Sequence, residues 1–208
     1  MPDKTKVGIL ISGRGSNMVS LLQGMRDGTI HGEPALVFSN VPDAPGLAKA
    51  AELGVPTEAL SHKGLKPRSK HEERVIEILH RYDVELVCLA GYMRLLSPLL
   101  VGEFRNRIFN IHPALLPAFP GLHVQQQAID YGVKISGCTV HVVDEECDHG
   151  PIIVQAAVPV LDDDTDETLS ARILKEEHRV YSEAVALYCA GRLKIEGRRV
   201  RITEPIAR

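Results

Sequence analysis

Residues 6–17 read Lys-Val-Gly-Ile-Leu-Ile-Ser-Gly-Arg-Gly-Ser-Asn. An apolar run breaks into glycines and then into polar residues. That pattern predicts a buried strand over 6–12, a tight turn, and a helix over 16–28 ending at Gly28. The alternation continues downstream. Strand-like stretches at 35–40, 55–60, 84–90 and 108–111 are separated by helical stretches at 44–53 and 70–82. In the second helix Val75, Ile78, Leu79 and Tyr82 share one face. Repeated βαβ units predict an α/β fold, a mostly parallel twisted sheet with helices on both faces. Ligands then belong beyond the carboxyl ends of the strands.

The second half changes character. Residues 112–121 hold three prolines and cannot form regular helix. Residues 124–131 read as a helix. Two long strands, 134–143 and 151–159, flank an acidic turn at 144–150. A long helix covers about 166–190, and residues 193–195 and 200–202 flank a turn as a terminal hairpin. The acidic run 162–167 reads as a solvated loop and helix start, where carboxylates suit the helix dipole.

Composition excludes several classes. Of 208 residues, 44% are hydrophobic and 25% charged, as in ordinary globular chains. The net charge of −3 provides no basic field for nucleic acid or an anionic membrane. No apolar run approaches the roughly 18–20 residues of a membrane span, and the run from Val7 to Ile11 is too short for a secretory signal. Cys88, Cys138, Cys147 and Cys189 lack CxxC spacing, which predicts reduced thiols in a cytoplasmic protein.

Three places carry chemistry. The glycine turn exposes N–H groups at a helix N-terminus, where anions bind, and Ser16 and Asn17 add donors and can cap the helix. Met18 breaks a dinucleotide fingerprint and no Gly-Lys-Ser/Thr follows, so a single phosphate on a smaller ligand fits better. A tight turn with an ordinary cap remains the plain alternative. Asn110 and His112 lie two apart on a strand, hence on one side, and Pro113 then forces the chain out of the sheet. An amide and an imidazole projecting at a strand end suit chemistry at a carbonyl. A carboxylate from the 144–150 turn set beside His112 would stabilise its imidazolium. The remaining histidines, His141 among them, lack ligand spacing and most read as surface or structural, so no metal is expected. On the last helix Glu177 falls within the apolar arc, a costly position without a partner. That partner is either structural or a ligand hydroxyl or ammonium.

Five segments together resemble the folate-dependent phosphoribosylglycinamide formyltransferases: ILISGRGSNM, LAGYMRLLSP, FNIHPALLPAFPGLH, GCTVHVVDEECDHGPII and the Glu177-His178 helix. The resemblance covers nearly the whole chain. It implies a Rossmann-like formyltransferase fold in one domain, residues 1–208, with a phosphate-binding half over about 1–105 and a catalytic and folate half over about 106–208. It implies Asn110, His112 and Asp148 as the catalytic set. Gly15, Ser16 and Asn17 would hold the ribose 5-phosphate and Glu177 the ribose hydroxyls. Met93, Arg94, Leu95 and Leu96 would line the pterin pocket, with Asn110 and the loop Asp144, Glu145, Glu146, Cys147 and Asp148 on its other side. Arg68 would lie near the folate tail. The implied reaction passes a formyl group from 10-formyltetrahydrofolate to the glycinamide amine through a tetrahedral intermediate, in de novo purine biosynthesis. It uses no metal. The resemblance implies only small-molecule partners, and a monomer or weak homodimer is expected. The chain departs from the family at Arg14, at Ala114 where Ser is common, and at His149 where a small residue is common.

The alternative is a 10-formyltetrahydrofolate hydrolase with the same Asn-His-Asp chemistry. Such enzymes carry an extra N-terminal domain, and strand one here begins within about six residues of Met1. Methionyl-tRNA formyltransferases add a C-terminal domain and a basic RNA-facing surface. A non-catalytic folate- or nucleotide-binding module is disfavoured by retention of all three catalytic residues.

Overall fold

A computed structural model describes residues 3–204. The chain forms two compact units whose boundary lies between Phe109 and Asn110.

The first unit contains β1 (Thr5–Ile11), α1 (Ser16–Asp27), β2 (Gly32–Ser39), α2 (Pro45–Glu52), β3 (Thr57–Ala59), α3 (Arg68–Arg81), β4 (Leu86–Leu89) and α4 (Pro98–Glu103). Its strands run in the order β3-β2-β1-β4, all parallel. Ile9, Leu10 and Ile11 are each fully buried. Successive residues point to opposite faces, so both faces of β1 are covered. That explains the continuous apolar run in the sequence.

Two elements differ from expectation. β2 begins at Gly32, upstream of the expected 35, and runs through Pro34. The β1–β2 register shifts between Val7 and Gly8, so Ala35 is skipped and the ladder absorbs a residue without an N–H. Helix α4 is six residues long with proline in its first turn. It is too short for a helical period to emerge.

The second unit begins within β5 (Ile108–His112) and continues with α5 (Val124–Tyr131), β6 (Ile135–Val142), β7 (Ile152–Pro159), α6 (Asp166–Cys189), β8 (Leu193–Glu196) and β9 (Arg199–Ile202). β6 and β7 are antiparallel, β9 lies parallel to β7 at Ile152↔Arg199, and β8–β9 form the expected hairpin. The fold is thus a mostly parallel sheet with helices and a few antiparallel C-terminal strands.

Helix α6 starts at a capping box in which Thr165 and Thr168 exchange side-chain-to-backbone hydrogen bonds. It packs on β6 and β7 through a face that includes Leu169, Ile173, Val180, Tyr181 and Ala184. Each large apolar side chain buried there contributes roughly 1.5–3 kcal/mol. The run before α6 is exposed as expected except at Asp164. Its side chain is 2% exposed and takes both guanidinium nitrogens of Arg172 at 2.6 and 2.8 Å. That pair and the contact of Asp164 with the Leu161 N–H hold its carboxyl well below the usual range.

The segment after β5 has no strand partner and is held by side chains. Thr139 Oγ1 donates to the Ala114 carbonyl at 2.7 Å and accepts from the Leu116 N–H at 3.0 Å. Gln155 Nε2 donates both to that hydroxyl and to the Leu116 carbonyl. Among the described residues, no helix is long and apolar enough to cross a membrane.

Candidate active site

In the second unit β5 delivers Asn110 and His112, and the 144–150 loop delivers Asp148. The alternation read from the sequence is realised, because both β5 side chains reach the same carboxylate. Asn110 Nδ2 lies 3.4 Å from Asp148 Oδ1, and His112 Nδ1 lies 3.4 Å from Asp148 Oδ2. The Gly121 N–H donates to Oδ2 at 2.9 Å. Asp148 holds φ at +50°, a left-handed backbone uncommon for a residue with a Cβ. The turn thereby aims the carboxylate at β5.

His141 completes the cluster. It is 2% exposed, with Nε2 at 3.2 Å from Asn110 Nδ2 and 3.7 Å from Asp148 Oδ1. His141 is therefore not a surface histidine. The signal available was its position between Val140 and Val142 in a strand.

Burial alone would push the Asp148 carboxyl up. The His141 ring beside it, the hydrogen bond from the Gly121 N–H, the His112 imidazole and the Cys147 thiol outweigh it and hold the group at about 2.

His112 does not project freely from the strand end. It is 3% exposed, and its Nε2 donates to the Phe119 carbonyl at 2.8 Å. A carbonyl only accepts, so Nε2 carries a hydrogen. A bare Nδ1 would then present its lone pair to a carboxylate. The doubly protonated ring suits both neighbours.

The other residues of the loop up to His149 are half-buried or exposed, and Gly150 is buried. Asp144 Oδ1 accepts from the Glu146 N–H at 3.1 Å, forming a local turn. Glu145 is exposed, and the exposed Cys147 thiol lies 3.4 Å from Asp148 Oδ2. Glu177 faces inward as its helical position predicts, at 8% exposure. The neighbouring Cys138 thiol is pushed up to about 12, mainly by burial and further by the Glu177 charge.

In the first unit the glycine turn is built as read, with one correction. The N-cap of α1 is Gly15, at φ +67°, and no side chain caps the helix. The left-handed backbone needs glycine, and Ser16 and Asn17 enter the helix itself. The turn is pinned where the Gly46 N–H donates to the Gly13 carbonyl at 3.0 Å and Lys49 Nζ to the Arg14 carbonyl at 3.2 Å. Ser12 Oγ accepts from the Met93 N–H at 2.8 Å and donates to Asn40 Oδ1 at 2.5 Å. It thus ties this turn to the loop after β4.

That loop carries Met93, Arg94, Leu95 and Leu96. Met93 and Leu95 are 67% and 60% exposed, which is unusual for large apolar side chains beside a core. Arg68 Nη1 donates to the Leu95 carbonyl at 3.0 Å. Glu72 stands three and seven residues before Val75 and Leu79, at the edge of the apolar face, a signal the sequence reading passed over, and is 2% exposed. Its carboxylate accepts from the Ser97 N–H at 2.9 and 3.1 Å and from the Ser97 hydroxyl. Replacing Glu72 by Gln trades a charged acceptor for a neutral one in a buried spot, at about 1.5–3 kcal/mol. At about 2–4 °C per kcal/mol in a chain this size, calorimetry should find Tm lowered by roughly 3–12 °C.

Among the described residues, no group of three or more His, Cys, Asp or Glu side chains could hold a metal ion.

A family model described as "Formyl transferase" matches residues 5–185. The chain belongs to the formyl transferase family. It is 47% identical over 190 residues to the trifunctional purine biosynthetic protein adenosine-3 of Drosophila melanogaster, covering 90% of this chain and 14% of that protein. The chain thus spans only about a seventh of the length of that relative. It is 39% identical to phosphoribosylglycinamide formyltransferase of Escherichia coli K12, covering 90% of this chain and 88% of the relative. The crystal structure of glycinamide ribonucleotide transformylase 1 from Symbiobacterium toebii superposes with a TM-score of 0.96 at 51% identity, covering 98% and 96% of the two chains. A formyltetrahydrofolate deformylase from Burkholderia mallei shares the fold more distantly, with a TM-score of 0.87 at 29% identity, covering 97% of this chain and 70% of that one.

Proposed function

We propose that this formyl transferase moves the formyl group of 10-formyltetrahydrofolate to the amine of N1-(5-phosphoribosyl)glycinamide, in de novo purine biosynthesis. The observation that carries the reading is the Asp148 carboxylate ringed by Asn110, His112 and His141. Its setting is a chain that matches named glycinamide ribonucleotide transformylases over nearly their full length.

The neutral amine attacks the formyl carbon, and the carbonyl oxygen becomes an oxyanion. Asn110 Nδ2 and the His112 imidazolium donate to it, the histidine once its Nε2–H leaves the Phe119 carbonyl. Asp148, held at about 2, stays ionised throughout the neutral range. It acts as a fixed negative charge that stabilises imidazolium rather than as a group that takes up and returns protons. The nitrogen–formyl bond to N10 then breaks, and N10 takes a proton while the amine loses one.

Gly15, Ser16 and Asn17 hold the ribose 5-phosphate on N–H groups at the start of α1, helped by the helix dipole. Glu177 binds the ribose hydroxyls. Met93, Arg94, Leu95, Leu96, Asn110 and the Asp144–Asp148 loop bind the folate, with Arg68 toward its tail. The same reading places the enzyme in the cytoplasm as a monomer or weak homodimer without metal or nucleic acid.

The test is a formyl-transfer assay with 10-formyl-5,8-dideazafolate, with and without the ribonucleotide. Turnover that requires the ribonucleotide supports the transferase. Formate release without it makes the protein a hydrolase. Glu177→Ala should raise the KM for the ribonucleotide about tenfold with a smaller change in kcat. An unchanged KM removes Glu177 from that site.

A further inference from the structure

The turn of the β8–β9 hairpin reaches the loop that carries Asp148. Parallel pairing of β9 with β7 at Ile152↔Arg199 seats Arg198 beside the residues that lead into β7. Arg198 Nη2 donates to the His149 carbonyl at 2.7 Å, and Nη1 lies 3.0 Å from His149 Nε2 and 3.2 Å from Nδ1. The same ring places Nδ1 at 2.9 Å from Asp144 Oδ2 and 4.0 Å from Glu146 Oε1.

The partners assign the tautomer. A carboxylate accepts, so Nδ1 carries the hydrogen. Nη1 lies within 3.2 Å of both ring nitrogens, so the guanidinium packs against the ring while Nη2 holds the carbonyl. His149 thus bridges Asp144 to Arg198. Elsewhere in the hairpin Glu196 takes Lys194 at 2.7 Å and Arg201 at 2.8 Å.

The loop between β6 and β7 has no regular structure, and Asp148 holds a left-handed backbone. A non-glycine residue in that conformation persists only when its surroundings hold it there. The next residue is His149, whose carbonyl and ring are both engaged by Arg198.

We propose that Arg198 is a positioning residue that, through His149, latches the 144–149 loop in the form that presents Asp148 and the folate-facing residues. The proposal rests on the formyl-transfer reading for its kinetic consequences and on the contacts alone for its structural ones. A solvent-exposed polar contact of this kind contributes little to global stability. The effect therefore belongs to loop order and folate use, not to the melting temperature.

The test uses Arg198→Ala, His149→Ala, the double variant and Arg198→Lys. Arg198→Ala should raise the KM for the formyl-folate about five- to tenfold, lower kcat severalfold and leave the ribonucleotide KM within about twofold. The double variant should be no worse than the worse single one, since both break one connection. Arg198→Lys should recover part of the loss, because an ammonium still reaches the His149 carbonyl. Hydrogen exchange at the amides of residues 144–150 should be faster in Arg198→Ala than in the wild type, with no substrate added. Unchanged exchange together with an unchanged folate KM overturns the latch, as does an equal rise in both KM values with a large fall in Tm. Faster exchange in a protein whose wild type transfers no formyl group keeps the latch and discards the functional reading.

Discussion

Asp148→Asn should lower kcat by about a thousandfold while each KM stays within about threefold. The asparagine keeps the shape but not the charge. Its amide nitrogen, if it faces the Gly121 N–H or the His112 ring, sets donor against donor. The imidazolium loses the anion that stabilises it, and the oxyanion loses a charged donor. Three decades correspond to about 4 kcal/mol of transition-state stabilisation, within what general acid–base and oxyanion groups supply. Steady-state kinetics with both substrates varied gives the answer, and equal losses in kcat and in affinity would assign Asp148 to binding instead.

The same variant changes acid sensitivity. The folded carboxyl titrates at about 2 against 3.8 for its ordinary value, so folding favours the ionised form. The stabilisation, about 2 kcal/mol at neutral pH for this largely buried group, is present above pH 4 and lost as pH falls toward 2. Asp148→Asn should flatten the stability-against-pH curve in that window, read from urea midpoints.

Gly150→Ala should abolish activity and lower stability by at least about 3 kcal/mol. A Cβ at this position would be driven into the Val142 carbonyl oxygen, with the Val142 carbon and the Asp144 nitrogen behind it. Backbone atoms on both sides leave no flexible side chain to move away. The Val142 N–H donates to the Pro151 carbonyl at 2.8 Å, so the added methyl pries open the junction from which the loop springs. Overpacking against backbone exceeds the usual 1–3 kcal/mol of a crowded core. Expression, circular dichroism and urea melts would decide it. A variant of native stability would mean that the β6–β7 junction yields more than its hydrogen bonding indicates.

The parallel sheet was legible because β1, β4 and the second half of β2 are buried on both faces and read as unbroken apolar runs. Asn110 and His112 were legible because strand alternation is local, and Glu177 because a helix wheel shows a carboxylate among apolar neighbours. Other features depend on contacts distant in sequence. His141 becomes meaningful only beside Asn110, 31 residues away, and Glu72 only beside Ser97, 25 residues away. The capture of His112 by the Phe119 carbonyl depends on a left-handed Phe119 in an irregular segment, which no periodicity describes. The N-cap of α1 misled because Ser16 and Asn17 are good caps by type, whereas the sharp turn put glycine at that place.

The Thr139 hydroxyl has a consequence for how such a chain can drift. It stands in for a neighbouring strand along residues 114–116, serving one N–H and one carbonyl at once. Valine would match its shape and strand a buried donor and a buried acceptor, at about 1–3 kcal/mol each. Serine would keep the bonds and lose a methyl group. Position 139 is therefore open to very few replacements, whereas its buried apolar neighbours Cys138 and Val140 can trade among residues of similar volume. Lineages of this fold should vary around that hydroxyl rather than through it.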